Sequence, residues 1–288
     1  MPRRNRRSFL SVNIKALGFK LCLLVGGFFL LFFGWRLIRS GNNIRVNPDT
    51  VAAFNIPHRA IGLLMEYSRR HGFDFPELFT VFNLENDFFP VASASYDLSE
   101  LERLYVADFE RLMRRYNSRS LAPYVELYRN LFNDIEVFPV PSEWTDSVMF
   151  GNSWGIEHNF QGNRMHMGTA VIDRENISGR VPVVSMSSGI VTSAVFCNQL
   201  GYHVVITTAN GTYFLYAHLD SIASNIFPGG HILAGEPVGQ MGNTGGGSGR
   251  RSRSFQVHLH LAISPDTNIT RGQFWINPYP LLMFLEAR

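Results

Sequence analysis

The stretch FQVHLHLAIS (255–264) decides the fold class, because it places two histidines one residue apart in a mostly apolar run. In an extended chain, residues i and i+2 point to the same side, so His258 and His260 face one way and the apolar residues between them face the other. This alternation predicts a β-strand with one buried face. The imidazoles could be ordinary hydrogen-bonded side chains, whereas a metal or acid/base site needs partners elsewhere in the chain.

The sequence around this strand has a consistent β pattern. Two prolines in VFPVPSEW (137–144) mark a boundary, beyond which short apolar runs alternate with glycines. The stretch ANGT (209–212) between two alternating runs predicts a β-hairpin. We therefore expect a linker at 137–150 and a compact, mostly antiparallel β domain at 151–288.

The residues before that boundary have a helical period. PHRAIGLLMEYSRRHG (57–72) begins with proline and ends with glycine, which is typical of helices. A capping box at Asp97 opens a second amphipathic stretch, and APYVELYRNLF (122–132) predicts a further helix. We expect a helical region at 57–136, preceded by a polar linker at 39–56.

The N-terminal end has the composition of a membrane anchor. LCLLVGGFFLLFFGW (21–35) carries no charge, and its flanks extend it to a candidate transmembrane helix at 16–38, where about 20 residues suffice to cross a bilayer. Six Lys/Arg side chains precede the uncharged run 21–35 and three arginines follow it within ten residues. This excess predicts that the basic tail at 1–15 is cytoplasmic. A cleaved signal peptide is the alternative, but bulky residues stand where cleavage needs small ones.

Charge and cysteine content argue against a nucleic-acid partner and against disulfides or cysteine-ligated metal sites. The formal net charge of +3 comes from the N-terminal end, because the residues after 20 hold 20 basic and 23 acidic side chains. A mildly acidic domain argues against nucleic acid as a partner. Cys22 lies in the predicted span and Cys197 in the β domain, so neither an internal disulfide nor a cysteine-ligated zinc site is expected.

Two further histidines follow the strand pattern of the β domain. FLYAHLD places His218 just after an aromatic strand, and NRMHMGTA places His166 at the start of another. Together with His258 and His260 they make four histidines on consecutive predicted strands. Such a set fits a zinc hydrolase site better than four unrelated histidines.

Five segments between residues 150 and 282 stand in the order of one known family. They are SWG with NRMHMG, then VPVVSMSSGIV, then YFLYAHL, then GEPVGQMGNTGGGSG, and finally VHLHL. In this order they resemble the lysostaphin/LytM-type zinc endopeptidases, peptidase family twenty-three of the metallo class, which cut peptide cross-links in bacterial cell walls. The resemblance implies a LytM-like β-sheet core.

The resemblance also implies a role for each histidine. His166 and His260 would be the Zn2+ ligands, and His218 and His258 would flank the bound water and the scissile carbonyl. The implied binding partners are peptidoglycan peptides. With the predicted anchor, the protein would be a single-pass protein of the cell membrane with its β domain on the outer, cell-wall side, and the helical region 57–136 could receive a protein partner.

One position departs from the family's motif. The family's Asp stands four residues after the first ligand, and here that position is Ala170. Asp173 is the substitute to consider, but its odd spacing from His166 turns it to the other face of a strand unless a bulge intervenes. A catalytic zinc normally has three protein ligands. The sequence favours a membrane-anchored zinc endopeptidase that acts on peptidoglycan cross-links in wall remodelling. The alternative is a non-catalytic relative that binds wall peptide or a partner protein.

Overall fold

The computed structural model describes residues 46–85, 118–158, 164–246 and 255–288. In chain order, its elements are α1 (Pro48–Ala53), α2 (His58–His71), α3 (Phe75–Glu85), α4 (Ser118–Asp134), a 3-10 helix (Ser142–Ser147), β1 (Val148–Phe150), β2 (Glu157–His158), β3 (Arg164–Met165), β4 (Thr169–Asp173), β5 (Pro182–Val184), β6 (Gly189–Cys197), β7 (Gly201–Thr207), β8 (Tyr213–Ile222), β9 (His231–Ile232), β10 (Pro237–Met241), β11 (His258–Ser264) and α5 (Tyr279–Glu286).

The predicted membrane anchor at 16–38 and the predicted helix that opens at Asp97 lie outside the described residues. Within those residues, no helix is both long enough and apolar enough to cross a membrane.

Helices form where capping signals support them. α2 ends before Gly72, whose φ of 70° is the left-handed conformation that glycine adopts most easily at a helix end. The predicted helix at 122–132 lies within α4. The predicted linker at 39–56 differs from the structure, because it contains α1. Asn47 caps this helix by accepting the N–H of Asp49, and six residues are too few to show a helical period in the sequence.

The β domain is antiparallel, as predicted, and its strands pair in the order β1-β4-β11-β8-β7-β6-β9, with β5 and β10 joined to β8. The ANGT stretch connects β7 to β8. The sheet begins earlier than the predicted domain boundary, because Val148–Phe150 pairs with β4 inside the predicted linker 137–150.

Helices and sheet share one apolar core. Leu64 of α2, Leu127 of α4 and Phe214 of β8 belong to the same buried cluster. Polar contacts reinforce this junction: the buried carboxylate of Asp134, at the end of α4, accepts hydrogen bonds from Thr208 (2.8 Å) and from the Asn210 side chain (2.7 Å) at the β7–β8 turn. The helical region and the β domain are therefore one structural unit.

Strand β8 changes its partner at His218. It pairs with β11 over 213–217 and with β10 over 219–222. His218 lies between these two stretches with a left-handed φ of 62°, and its N–H donates to the carbonyl of Leu200. A left-handed non-glycine residue costs about 1–3 kcal/mol and is typical of functional positions. The sequence placed His218 after a strand, whereas the strand continues through it with a kink.

Candidate functional site

The histidine strand has the predicted alternation. Leu259 and Leu261 of β11 are fully buried, whereas His258 and His260 are partly exposed on the opposite face. The leucines contribute to the main core. Burial of one face thus fixes the register that presents both imidazoles on the other.

His166 and His260 are in direct contact. His166 lies between β3 and β4 rather than in a strand. Its Nδ1 lies 2.9 Å from the carbonyl oxygen of Ser153, and its Nε2 lies 2.8 Å from Nδ1 of His260. A carbonyl only accepts, so a neutral His166 carries its proton on Nδ1 and accepts at Nε2 from the Nδ1–H of His260.

Gly168 permits this contact. A Cβ added there would lie 2.5 Å from the Leu261 carbonyl oxygen and 2.8 Å from the His260 ring. A Gly168→Ala variant should therefore displace the ring and lower the free energy of unfolding by about 1–3 kcal/mol, the usual cost of overfilling a tight site. Denaturant unfolding measures this loss. Gly151→Ala is the matched control, since its added Cβ meets nothing within 4 Å; equal stability of the two variants would contradict the geometry.

His218 and His258 form the second pair, with ring centres 4.9 Å apart. Their Nδ1 atoms each lie 2.8 Å from a backbone carbonyl oxygen, that of Thr244 for His218 and that of Gln256 for His258. These contacts place the proton of each neutral ring on Nδ1 and leave Nε2 as an acceptor. The ring of Phe255 lies 4.9 Å from the His218 ring and 5.2 Å from the His258 ring.

The environment keeps His218 neutral. Burial lowers the pKa of its imidazole to about 4, and the neighbouring His258 contributes in the same direction, against a smaller opposing effect of the hydrogen bond to Thr244. At neutral pH His218 is therefore an uncharged hydrogen-bonding group.

Ala170 stands beside this histidine face. Along β4, residues 169, 171 and 173 are buried, whereas Ala170 and Ile172 are partly exposed. Ala170 pairs with His260 and Ile172 pairs with His258. Directly paired residues of antiparallel strands lie side by side on one face of the sheet. The Ala170 methyl group therefore occupies the position from which a carboxylate would reach the His166–His260 pair.

Asp173, the possible substitute ligand, lies on the face of β4 opposite the histidines. It is fully buried on the core face of β4, as the odd spacing predicted, and no bulge reverses it in the β4–β11 pairing. Its carboxylate is bonded to Arg180 and accepts the N–H of Ile177 at 2.8 Å. Burial would raise its pKa, but the bonds from Arg180 and the backbone outweigh this effect and hold the pKa below its usual value. Asp173 is a structural carboxylate.

The donor set is incomplete for a catalytic zinc. In the ranges that the structure describes, no group of three His, Cys, Asp or Glu side chains is placed to hold a metal ion. The sequence-adjacent segments outside those ranges, 159–163 and 247–254, contain none of these residue types. Two imidazole nitrogens on a tetrahedral zinc lie about 3.3 Å apart, whereas those of His166 and His260 are at hydrogen-bond distance. The residues present supply two of the three usual ligands.

Three supporting residues were not singled out from the sequence. Ser153 accepts from His166 through its carbonyl and from the Ala170 N–H through its hydroxyl oxygen at 3.2 Å. Gly168 makes room for His260, and Phe255 contacts the second histidine pair. The segments that contain these residues are recognisable in the sequence. Their roles depend on contacts between segments that are distant along the chain.

Comparison with known proteins identifies the domain. Residues 164–271 match the family model described as Peptidase family M23. The match contains all four candidate site histidines, together with Ala170. The β domain is a Peptidase family M23 domain. The predicted resemblance is thereby confirmed.

Two relatives give the extent of the similarity. An L-Ala–D-Glu endopeptidase of Bacillus subtilis (strain 168) is 28% identical over 181 residues, 63% of this chain and 49% of that protein. This chain therefore spans about half the length of that curated relative. A solved structure of a Ruminococcus gnavus ATCC 29149 protein, assigned as the glycyl-glycine endopeptidase lytM, is 29% identical with a TM-score of 0.67 and covers 87% of this chain and 95% of that one.

The structural match extends beyond the M23 domain. Residues 137–288 make up little more than half of the chain, so a match over 87% of it includes helical residues as well. The M23 domain is peptidoglycan endopeptidase-like, with helices packed against it.

Proposed function

We propose that this protein binds the peptide part of peptidoglycan at the histidine face of its M23 domain and does not cleave it. The observation that supports this proposal is the pairing of His260 with Ala170. By the resemblance to the family, its third ligand would stand at position 170. Without that ligand, zinc binding should be weaker by more than the 10–100-fold that is typical of losing only a residue that supports a ligand.

The binding face itself has features that suit a peptide ligand. Acceptor nitrogens of His218 and His258 point away from their Nδ1 bonds to the backbone. Exposed apolar residues are neighbours of His166 in the chain: Met165 is 61% exposed and Met167 41%. Ile156, which is 51% exposed, accepts the N–H of His166 at its carbonyl. Apolar walls with a few convergent polar groups are typical of ligand sites.

Co-sedimentation with purified peptidoglycan tests the binding. The full chain in detergent should sediment with the wall material, and His258→Ala together with Met165→Ser should reduce the bound fraction several-fold. Exposed Phe227, at the β8–β9 connection and away from these residues in sequence, gives the control Phe227→Ser, which should bind like the parent. Failure of the parent to sediment, or equal binding by all variants, would reject the proposed function.

We further propose that the predicted helix at 16–38 anchors the chain with residues 46–288 outside the membrane. The basis is the excess of cations on its N-terminal side. Protease added to intact protoplasts should remove the M23 domain and leave the N-terminal tail protected. Complete resistance of the domain, or a mature N-terminus beyond residue 36, would contradict this topology.

A protein partner at the helical region 57–136 also belongs to the proposal. Its support is the order along the chain, in which this region lies between the predicted anchor and the M23 domain. One face of the helices is already buried against the sheet, so a partner would contact the solvent face. Crosslinking in intact cells with a photoreactive group at Arg59, which is exposed on α2, should capture that partner.

A further inference from the structure

We propose that two copies of this chain pair through the open edge of β6, which is the side of residues 192–197 that faces away from β7. In this pairing, Val195 of one copy lies opposite Val195 of the other, and the two sheets become continuous. The binding partner at this edge is therefore a second copy of the chain. The proposal concerns the sheet edge alone and does not rest on peptide binding at the histidine face.

The first support is that the edge is uncovered. β6 pairs with β7 from Ile190 to Cys197, whereas β9 on the other side reaches only Gly189 and Ile190. Val191 exchanges backbone hydrogen bonds with the Gly229–Gly230 turn. Beyond Val191, β6 makes no backbone hydrogen bond to any described segment other than β7. A strand edge left in this state is a template for pairing with another strand.

The second support is the direction of the backbone groups. Phe196 pairs with Tyr202 of β7, but the N–H of Tyr202 donates to the hydroxyl of Thr244 instead of to Phe196. Opposed residues of antiparallel strands exchange both hydrogen bonds or neither, so the N–H and C=O of Phe196 point away from β7. The alternation along a strand gives Ala194 the same direction. Both residues therefore present a donor and an acceptor at the open edge.

The third support is the register that these groups allow. In an antiparallel copy related by two-fold symmetry, Ala194 of each chain can lie opposite Phe196 of the other and exchange both hydrogen bonds with it. This register uses every outward group of Ala194 and Phe196. The symmetry axis then passes between the two Val195 residues, whose Cα atoms would be about 4.5 Å apart.

The fourth support is composition. No Lys, Arg, Asp, Glu or Pro stands between Gly189 and Thr207, so the edge lacks the residues that usually prevent strand pairing. Two copies meeting here face no like-charge repulsion, and a partner of opposite charge has nothing to recognise. Val195 is 50% exposed, and its side chain would be covered by the pairing. An added Cβ at Gly229 would meet nothing within 4 Å, which leaves space for the β6–β7 turn of the second copy.

Cysteine trapping tests the register, and it also captures a pair that is weak because the contact is small. In the full chain in detergent, with Cys22 and Cys197 replaced by Ser, Val195→Cys should form a disulfide-linked dimer on mild oxidation. The Cα separation of about 4.5 Å lies within the range that a disulfide spans.

Ile190→Cys in the same background is the matched control. Ile190 is exposed on the same strand, but in this register the two copies of residue 190 would lie about 30 Å apart. We expect at least about 10-fold more covalent dimer from Val195→Cys, since only its geometry permits the bond. Equal yields from the two variants would overturn the proposal.

Adding Ala194→Pro to the Val195→Cys chain tests the backbone hydrogen bonds. Proline removes the outward N–H, and an edge strand tolerates it where that N–H faces solvent. Trapping should fall to the level of the Ile190→Cys control, while circular dichroism reports an unchanged fold. Undiminished trapping in a folded variant would show that the copies meet by another route and would overturn the strand pairing.

Charges at the axis give a second measurement, which stands even where the proline variant does not fold. Val195 is half exposed, so the fold should accept Val195→Lys and Val195→Glu. Like charges directly opposite each other in paired strands are destabilising, whereas opposite charges are favourable. With the two variants mixed and differently tagged, each should co-purify the other in preference to its own kind. Absence of that preference would contradict the two-fold pairing at Val195.

Discussion

Replacing Ala170 with Asp is expected to tighten zinc binding by well over 10-fold. Loss of a residue that merely supports a metal ligand typically costs 10–100-fold in affinity, and a direct ligand should matter more. The new carboxylate would share the face of its pairing partner His260, next to the contact between His260 and His166. Isothermal titration or competition with a zinc indicator measures the change.

The same variant provides a background for assigning the histidines. In Ala170→Asp, a further His260→Ala should abolish zinc binding, whereas His258→Ala should retain the metal. If peptide cleavage appears in Ala170→Asp, we expect His258→Ala to remove it. Equal zinc affinity of the parent and Ala170→Asp would show that position 170 is not a ligand position in this chain.

Replacing Asp173 with Ala is expected to destabilise the fold by about 1–3 kcal/mol, the usual cost of leaving the hydrogen-bonding partners of a buried group unsatisfied. The Asp173 side chain is fully buried and that of Arg180 is 19% exposed, so the remaining guanidinium would lose its main partner. The N–H of Ile177 would lose its acceptor as well. Denaturant unfolding of the parent and the variant measures the difference, and zinc affinity should not change.

Glu175→Gln is the matched control for this prediction. Glu175 also contacts Arg180, at 3.3 Å, but its side chain is 61% exposed, so its loss should cost at most about 1 kcal/mol. A change in zinc affinity with unchanged stability in Asp173→Ala would instead support a metal-ligand role.

The Asp173 contribution should also depend on pH. The folded state holds the pKa of this carboxyl below its usual value of 3.8. Ionised Asp173 therefore stabilises the fold above that pH, and the contribution disappears as the pH falls through the folded pKa. The stability difference between the parent and Asp173→Ala should therefore shrink below about pH 4. A difference that stays constant down to pH 2 would contradict the ion pair.

Local patterns predicted the parts of this molecule that depend on local physics. The alternation in FQVHLHLAIS gave the correct buried and exposed faces, because a strand has a strict period of two. The same parity correctly separated Asp173 from the face that carries His260. Pro57 and Gly72 bracket α2 because proline and glycine act through their own backbone conformations.

Contacts between distant segments could not be predicted in this way. The kink at His218 lies where β8 stops pairing with β11 and begins pairing with β10. The residues near His218 in the sequence do not indicate this change of pairing. The Ser153 carbonyl holds His166 across 13 residues. The buried Asp134 joins the helices to the β7–β8 turn across more than 70 residues. Each of these depends on tertiary pairing, which a single sequence does not reveal.

The central claim is that the M23 domain binds wall peptide with a metal site that is one ligand short. The most direct test measures the release of new amino groups from purified peptidoglycan. The full chain and its Ala170→Asp variant are assayed in parallel, both in the presence of zinc. The account predicts that the parent sediments with the wall material and releases no amino groups above the rate of a buffer blank. Chelator-sensitive release by the parent, abolished in His260→Ala, would contradict it.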